Sequence, residues 1–190
     1  MDSVRANTYE RELAGKQVGG WTIGSRLGNG ASAVVFAAEK GGRVAAVKVF
    51  DRELVERVGE AAQLARINME LKLVGKRHPN LVQIFDGGGC PETGLLFVVM
   101  EKLDLMPLST RVSDFPADWI RPIIAQIADA ARFLESIEPG LVHRDIKPEN
   151  IVVTDGLERA VLLDFGVLRP LDPKVEDDRG SGQEFLATIR

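Results

Sequence analysis

Only one cysteine, Cys90, occurs in the 190 residues, so no intrachain disulfide and no cysteine-rich metal site can form. That scarcity fits a reducing compartment, and the expected location is cytoplasmic. Histidine is nearly as rare: His78 and His143 stand alone, so neither has a histidine neighbour with which to bind a metal. Long apolar runs are absent as well. Stretches such as Leu95-Leu96-Phe97-Val98-Val99-Met100 fall far short of the ~20 residues that cross a bilayer. The start, Met1-Asp2-Ser3-Val4-Arg5, has no apolar signal core, and no membrane segment is expected. Basic charge is not in excess either. Lys+Arg number 24 against 28 Asp+Glu, a net charge of -4, which argues against nucleic acid as a partner. No internal repeat is visible.

What is present suits a folded chain. Hydrophobic residues make up 45% and charged residues 27%, enough to close a core. The length allows one large domain or two small ones. Residues 1–17 are polar and charged and read as a mobile or weakly packed lead-in. Strand patterning begins at Trp21-Thr22-Ile23. Segments 33–38 and 44–50 flank Gly41-Gly42, a hairpin signal, so three antiparallel strands are expected. Over 51–76, Leu64, Ile67, Leu71 and Val74 recur at helical spacing, with Gly59 as a point of division. Segments 81–85 and 95–101 read as strands joined by a loop holding Gly87-Gly88-Gly89. An irregular connection over 102–116 precedes a helix over 118–137. Its apolar stripe is Ile120, Ile123, Ile124, Ile127, Ala131 and Leu134. Short strands follow at 151–153 and 160–163, and the polar remainder reads as an exposed loop.

Three segments carry the chemistry. Gly28-Asn29-Gly30-Ala31-Ser32-Ala33-Val34-Val35 approximates G-x-G-x-x-G-x-V, with Ala33 in place of the third glycine. A dinucleotide fingerprint would open a helix, whereas these residues run into a strand. A hairpin turn and a flap over phosphates both remain open at this point. Lys48 interrupts an apolar strand, where a solvated edge lysine is the ordinary explanation. The helix after it carries Glu70, with Glu60 as a competitor. Downstream come His143-Arg144-Asp145, with Lys147 and Asn150, and then Asp164-Phe165-Gly166. Taken singly, these aspartates and the asparagine suit turns.

In this order and spacing the set resembles the catalytic residues of a eukaryotic-like (Hanks-type) serine/threonine protein kinase. The resemblance implies an α+β, two-lobe fold: an antiparallel β-sheet N-lobe over 18–101 and a partial, mainly helical C-lobe over 102–190. It implies transfer of the γ-phosphoryl group of ATP, with Mg2+, to a Ser/Thr hydroxyl of a protein substrate. Asp145 would meet that hydroxyl as base, and Lys147 would neutralise charge on the moving group. Lys48 would hold the nucleotide phosphates and pair with Glu70, while Asn150 and Asp164 would ligate magnesium through hard oxygens. Gly28 and Gly30 would cover the phosphates. Val35, Ala46 and Val152 would enclose the adenine, with Met100 behind it and the backbone of Glu101 and Leu103 at its edge. His143 would pack with Phe165, Val74 and Ile84 between the lobes. Lys147, two residues past the aspartate, marks the serine/threonine branch. Arg144 implies a partner in the activation segment. Glu184, four residues before Thr188, stands where a phosphorylated residue is common, and Ser181 is the nearest hydroxyl.

The family's Ala-Pro-Glu segment and later C-lobe helices have no counterpart before Arg190. The expectation is therefore a catalytic domain truncated after the activation segment and weakly active or inactive. Part of Ile120, Ile123, Ile127 or Leu134 is expected to stay exposed, offering a surface for association. The rival reading is a nucleotide- or partner-binding module without turnover. A small-molecule phosphotransferase of related fold is disfavoured by Arg144 and Lys147.

Overall fold

A computed structural model of the chain describes residues 3–111, 117–137, 141–154, 156 and 158–165. Six strands form the larger sheet: β1 (Gln17–Val18), β2 (Trp21–Asn29), β3 (Ala33–Lys40), β4 (Arg43–Phe50), β5 (Ile84–Cys90) and β6 (Leu95–Met100). They lie in the order β1-β2-β3-β4-β6-β5, each antiparallel to its neighbours. Alternation along the strands divides the apolar residues between two faces. Val34, Phe36, Val47, Val49, Phe97 and Val99 build a core on one side, while Ala33, Phe50, Leu96 and Val98 join a second core on the other. Lys48 is paired across the sheet with Val35 and Val98, so it belongs to the second face.

The first face is covered by a helix that the sequence had not promised. Helix α1 (Ser3–Leu13) buries Ala6, Tyr9 and Leu13, which corrects the expected mobile lead-in. The polar average of this stretch conceals three apolar residues at offsets of three and four, the spacing of one helical stripe. The second face receives α2 (Arg52–Val58) and α3 (Glu60–Leu71). They part at Gly59, whose φ of 92° lies where a side chain would be strained. Helix α3 stops at Leu71, and the chain tightens into i→i+3 turns there. The helical period therefore fails beyond that point: Leu73 is buried and Val74 is 43% exposed. Val74 thus lies outside the packed spine in which the resemblance had placed it.

A second correction concerns the three glycines, which lie inside β5 while the connection to β6 is a turn over 91–94. A Cβ at Gly87 would stand 2.9 Å from the Phe97 carbonyl oxygen and 3.1 Å from Leu71 Cδ2. Glycine here permits close approach of the strand to β6 and α3.

The smaller lobe is built on α4 (Ala117–Ile137) and a sheet of β7 (Met106–Pro107), β8 (Ile151–Val153) and β9 (Ala160–Leu162), in that order and antiparallel. Helix α4 buries Ile123, Ile127, Ala130 and Leu134. Ala130, not Ala131, completes the stripe, and Ile120 and Ile124 are 47% and 62% exposed. The lobes are stitched together by backbone. Val82 N–H donates to Leu162 O at 3.1 Å, and Leu162 N–H donates to Asn80 O at 2.9 Å. The buried Asn80 amide donates to Gln126 Oε1 at 2.6 Å and to Ala160 O at 2.8 Å. The architecture is the expected α+β arrangement, a strand-rich lobe on a partial helical one. No helix among the described residues is long and apolar enough to cross a membrane.

Candidate active site

Strand β4 carries Lys48 to the sheet face that looks toward the second lobe. There it is buried, and its Nζ donates to Asp164 Oδ1 at 2.5 Å. Burial alone would depress the lysine pKa, but the carboxylates of Asp164 and Glu70 outweigh it and hold the pKa above the ordinary value. Glu70, from α3, is 1% exposed. Burial raises its pKa to about 7, opposed by Lys48 and reinforced by Asp164. Its Oε1 has no hydrogen-bond partner. The Lys48–Glu70 pair that the resemblance implied is therefore not formed: Glu70 lies close enough to feel Lys48, but Asp164 holds the ammonium. One lysine faces two carboxylates, and the short contact is with Asp164, whose side chain is 44% exposed, and not with the buried Glu70. Glu60, the competitor, is exposed on the first turn of α3.

The segment before β8 gathers the other candidates. Asp145 Oδ2 accepts from Asn150 Nδ2 at 2.8 Å and from Lys147 Nζ at 2.9 Å. The Asn150 amide also donates to Asp145 O at 2.9 Å, closing a tight loop around the carboxylate. Leu163 N–H donates to Asn150 O at 2.8 Å, which ties this loop to the residue before Asp164. Two non-glycine residues here adopt left-handed backbone, Arg144 (φ 63°) and Asp164 (φ 56°). Such conformations cost energy and concentrate where geometry matters more than stability.

His143 does more than pack. Its ring meets Phe165 edge-on at 5.6 Å between centroids, as expected. Its Nε2 lies 2.9 Å from Leu163 O, and its Nδ1 accepts from Asp145 N–H at 3.3 Å. These partners assign a neutral ring with the proton on Nε2. Burial lowers its pKa, consistent with that form. The imidazole thus bridges the backbone of Asp145 itself and that of Leu163, the residue before Asp164, a role the sequence gave no sign of beyond the motif itself.

The remaining candidates line the sheet edge and the lobe junction. Register aligns Gly28 with Val35, Val35 with Lys48, and Ala46 with Met100. At Gly28 and Gly30 an added Cβ would meet nothing within 4 Å, so both glycines border open space. Val152 is buried on β8, while Glu101 and Leu103 are half-buried where the chain leaves β6. Glu101 N–H is engaged by Gln83 O at 2.8 Å. Glu184, Ser181 and Thr188 lie outside the described residues, so the expected Arg144–Glu184 contact does too. Among the described residues no three His, Cys, Asp or Glu side chains cluster as a metal site.

Residues 21–188 match the model of the protein kinase domain. The chain belongs to the protein kinase family. A probable serine/threonine-protein kinase of Corynebacterium efficiens is 31% identical over 162 residues, 80% of this kinase chain and 23% of that protein. A serine/threonine-protein kinase of Myxococcus xanthus is 33% identical over 173 residues, 84% of this chain and 23% of that protein. The chain therefore spans about a quarter of the length of these relatives. The kinase domain of Mycobacterium tuberculosis PknI superimposes with a TM-score of 0.61 at 24% identity, covering 81% of this chain and 62% of that one. A point variant of the same domain gives a TM-score of 0.67. At that identity the likeness is one of fold.

Proposed function

We propose that this chain is the catalytic part of a serine/threonine protein kinase, moving the γ-phosphoryl group of Mg-ATP to a protein hydroxyl. The observation that carries the reading is the Asp145 carboxylate, held by Asn150 and Lys147 in a loop tied to Asp164. A base for an incoming hydroxyl must be aimed before the substrate arrives, and this one is fixed by two donors. The donor set suits magnesium. Asp164 and Asn150 offer hard oxygens, and magnesium takes one or two such protein ligands together with phosphate oxygens. Bound there, the metal would neutralise developing charge on the phosphates. Lys48 would hold the nucleotide phosphates beneath the open-sided Gly28–Gly30 turn, Val35, Ala46 and Val152 would enclose the base, and Met100, Glu101 and Leu103 would border it. Lys147, already beside Asp145, would sit against the transferred group. Glu70 supports the same reading: one of its buried oxygens has no hydrogen-bond partner, and a metal held by Asp164 would leave Lys48 free to pair with it. The expected setting is cytoplasmic and the expected partner a protein bearing serine or threonine.

Two measurements test it. Calorimetry should show magnesium-dependent ATP binding that Lys48→Met weakens at least tenfold; equal binding by the variant removes the assignment. Asp145→Asn should keep that affinity while transfer of labelled phosphate to a generic protein substrate falls by 10²-fold or more, in line with the contribution of a positioned base, roughly 10²–10⁴. Substantial residual transfer would move the base elsewhere.

A further inference from the structure

Helix α1 precedes the segment that matches the kinase model, which begins at residue 21. It is nonetheless fastened to α2, which leads into α3, and to β2, which leads into the glycine turn. Helix α2 has seven residues and buries none of them. A helix of two turns is not stable alone, so something outside it must hold it. Its first amides show what does. Glu53 and Leu54 N–H donate to the side chain of Asp51, at 2.8 and 3.2 Å. Val55 N–H donates to Asp51 O at 2.9 Å, the first intrahelical bond. The remaining one, Arg52 N–H, donates to the hydroxyl of Tyr9 on α1 at 2.8 Å. Tyr9 therefore supplies the last acceptor that the α2 N-terminus requires. Its ring is buried in the core beneath α1, so the hydroxyl is delivered from a fixed platform. Arg5, one turn earlier, reaches Glu53 Oε2 at 2.5 Å and Asp51 Oδ2 at 3.8 Å. On another side of α1, Glu10 meets Arg26 Nε at 3.4 Å, on the strand that runs into the Gly28–Gly30 turn.

We propose that α1 is a positioning clamp for the nucleotide site, in which Tyr9 anchors α2, and through the Gly59 joint α3 with Glu70, while Glu10 anchors the strand leading to the glycine turn. Tyr9 is a positioning residue, acting through the backbone of Arg52 and touching no substrate. The consequence for activity rests on the kinase reading above; the mechanical part does not.

The test uses the full chain with Tyr9→Phe, which deletes the hydroxyl and keeps the ring. Ile23→Val serves as control, since Ile23 lies in the same core and its backbone hydrogen bonds run to Gly15 and Lys16, outside α2. Hydrogen exchange followed by mass spectrometry should quicken at least fivefold over 52–71 in Tyr9→Phe, and not in Ile23→Val at a similar loss of melting temperature. The KM for Mg-ATP should rise about threefold to tenfold in Tyr9→Phe and stay unchanged in the control. Glu10→Gln should speed exchange over 26–30 without altering 52–58. Unchanged exchange over 52–71 in Tyr9→Phe overturns the clamp, as does equal quickening in the control. Quickened exchange with an unchanged KM overturns the link to nucleotide. A wild-type chain that binds no Mg-ATP rejects the functional reading, while the exchange data still decide the clamp.

Discussion

Glu70 keeps a carboxyl group out of water with one oxygen unpartnered, and this makes it a proton reservoir with a defined sign. Its ordinary pKa is 4.5, and burial carries it to about 7 in the folded chain. Between those values the folded chain holds a proton that the unfolded chain has released, so stability falls as pH rises across that window. Glu70→Gln removes the titrating group. The melting temperature of the variant should exceed that of the wild type at pH 8, and the difference should shrink toward pH 5. Thermal scans across the range check this; a variant less stable at pH 8 would mean that the carboxylate is satisfied after all. At this scale much was legible. Asp145, Lys147, Asn150 and Asp164 come together with Lys48 as their motifs required. The pairing of Lys48 was not legible, because sequence names the three charged groups but not which carboxylate the fold brings within reach of the ammonium. Nor was the hydrogen bonding of His143, whose two ring nitrogens find backbone groups twenty and two residues away.

Elements followed period and punctuation where packing agreed with them. Helix α4, the Gly41-Gly42 hairpin and the Gly59 joint are all readable from spacing and glycine. The differences between sequence and fold have a common cause: glycine reads as a turn where it answers a close approach, and polarity reads as looseness where one apolar stripe suffices. Gly87 and Gly89 turn the first point into a measurement. A methyl group at Gly87 meets backbone oxygen that cannot move aside, whereas at Gly89 it would stand 3.6 Å from Leu96 Cδ2, an ordinary contact. Gly87→Ala should cost about 1–3 kcal/mol by overpacking, and Gly89→Ala should be near neutral. Urea denaturation of the two variants discriminates them, and equal costs would show that the strand relaxes. Ile120 and Ile124 give the other lesson of this scale. The helical stripe is wider than the face that α4 buries, and periodicity alone does not say which edge of it stays wet.

The two lobes share one core. Leu96, Val98 and Ile67 from the first lobe and Ile127, Leu134 and Leu162 from the second belong to one contiguous cluster, sealed by the buried amide of Asn80. The two tryptophans allow this to be observed, since Trp21 lies in the first lobe and Trp119 in the second. Single-tryptophan chains, Trp21→Phe and Trp119→Phe, should report the same denaturation midpoint. Asn80→Ala leaves a buried carbonyl at Ala160 short of a donor, a loss of about 1–3 kcal/mol, and should lower both midpoints together. A Trp119 transition that moves alone would show lobes that unfold independently.

The Asn80 seam also sets a timetable. Asn80 and Ala160 are eighty residues apart in the chain. A ribosome adds residues at about 5–20 per second, so roughly 4–16 s pass between the synthesis of the two. The strand sheet from β1 to β6 can close in that interval, since all of its strands have been made by residue 100. Leu81 and Val82 must wait, finished but uncovered, for β9 to emerge. The nascent first lobe therefore carries a temporary sticky edge, and a chaperone that binds short apolar segments would find its footing at 81–84.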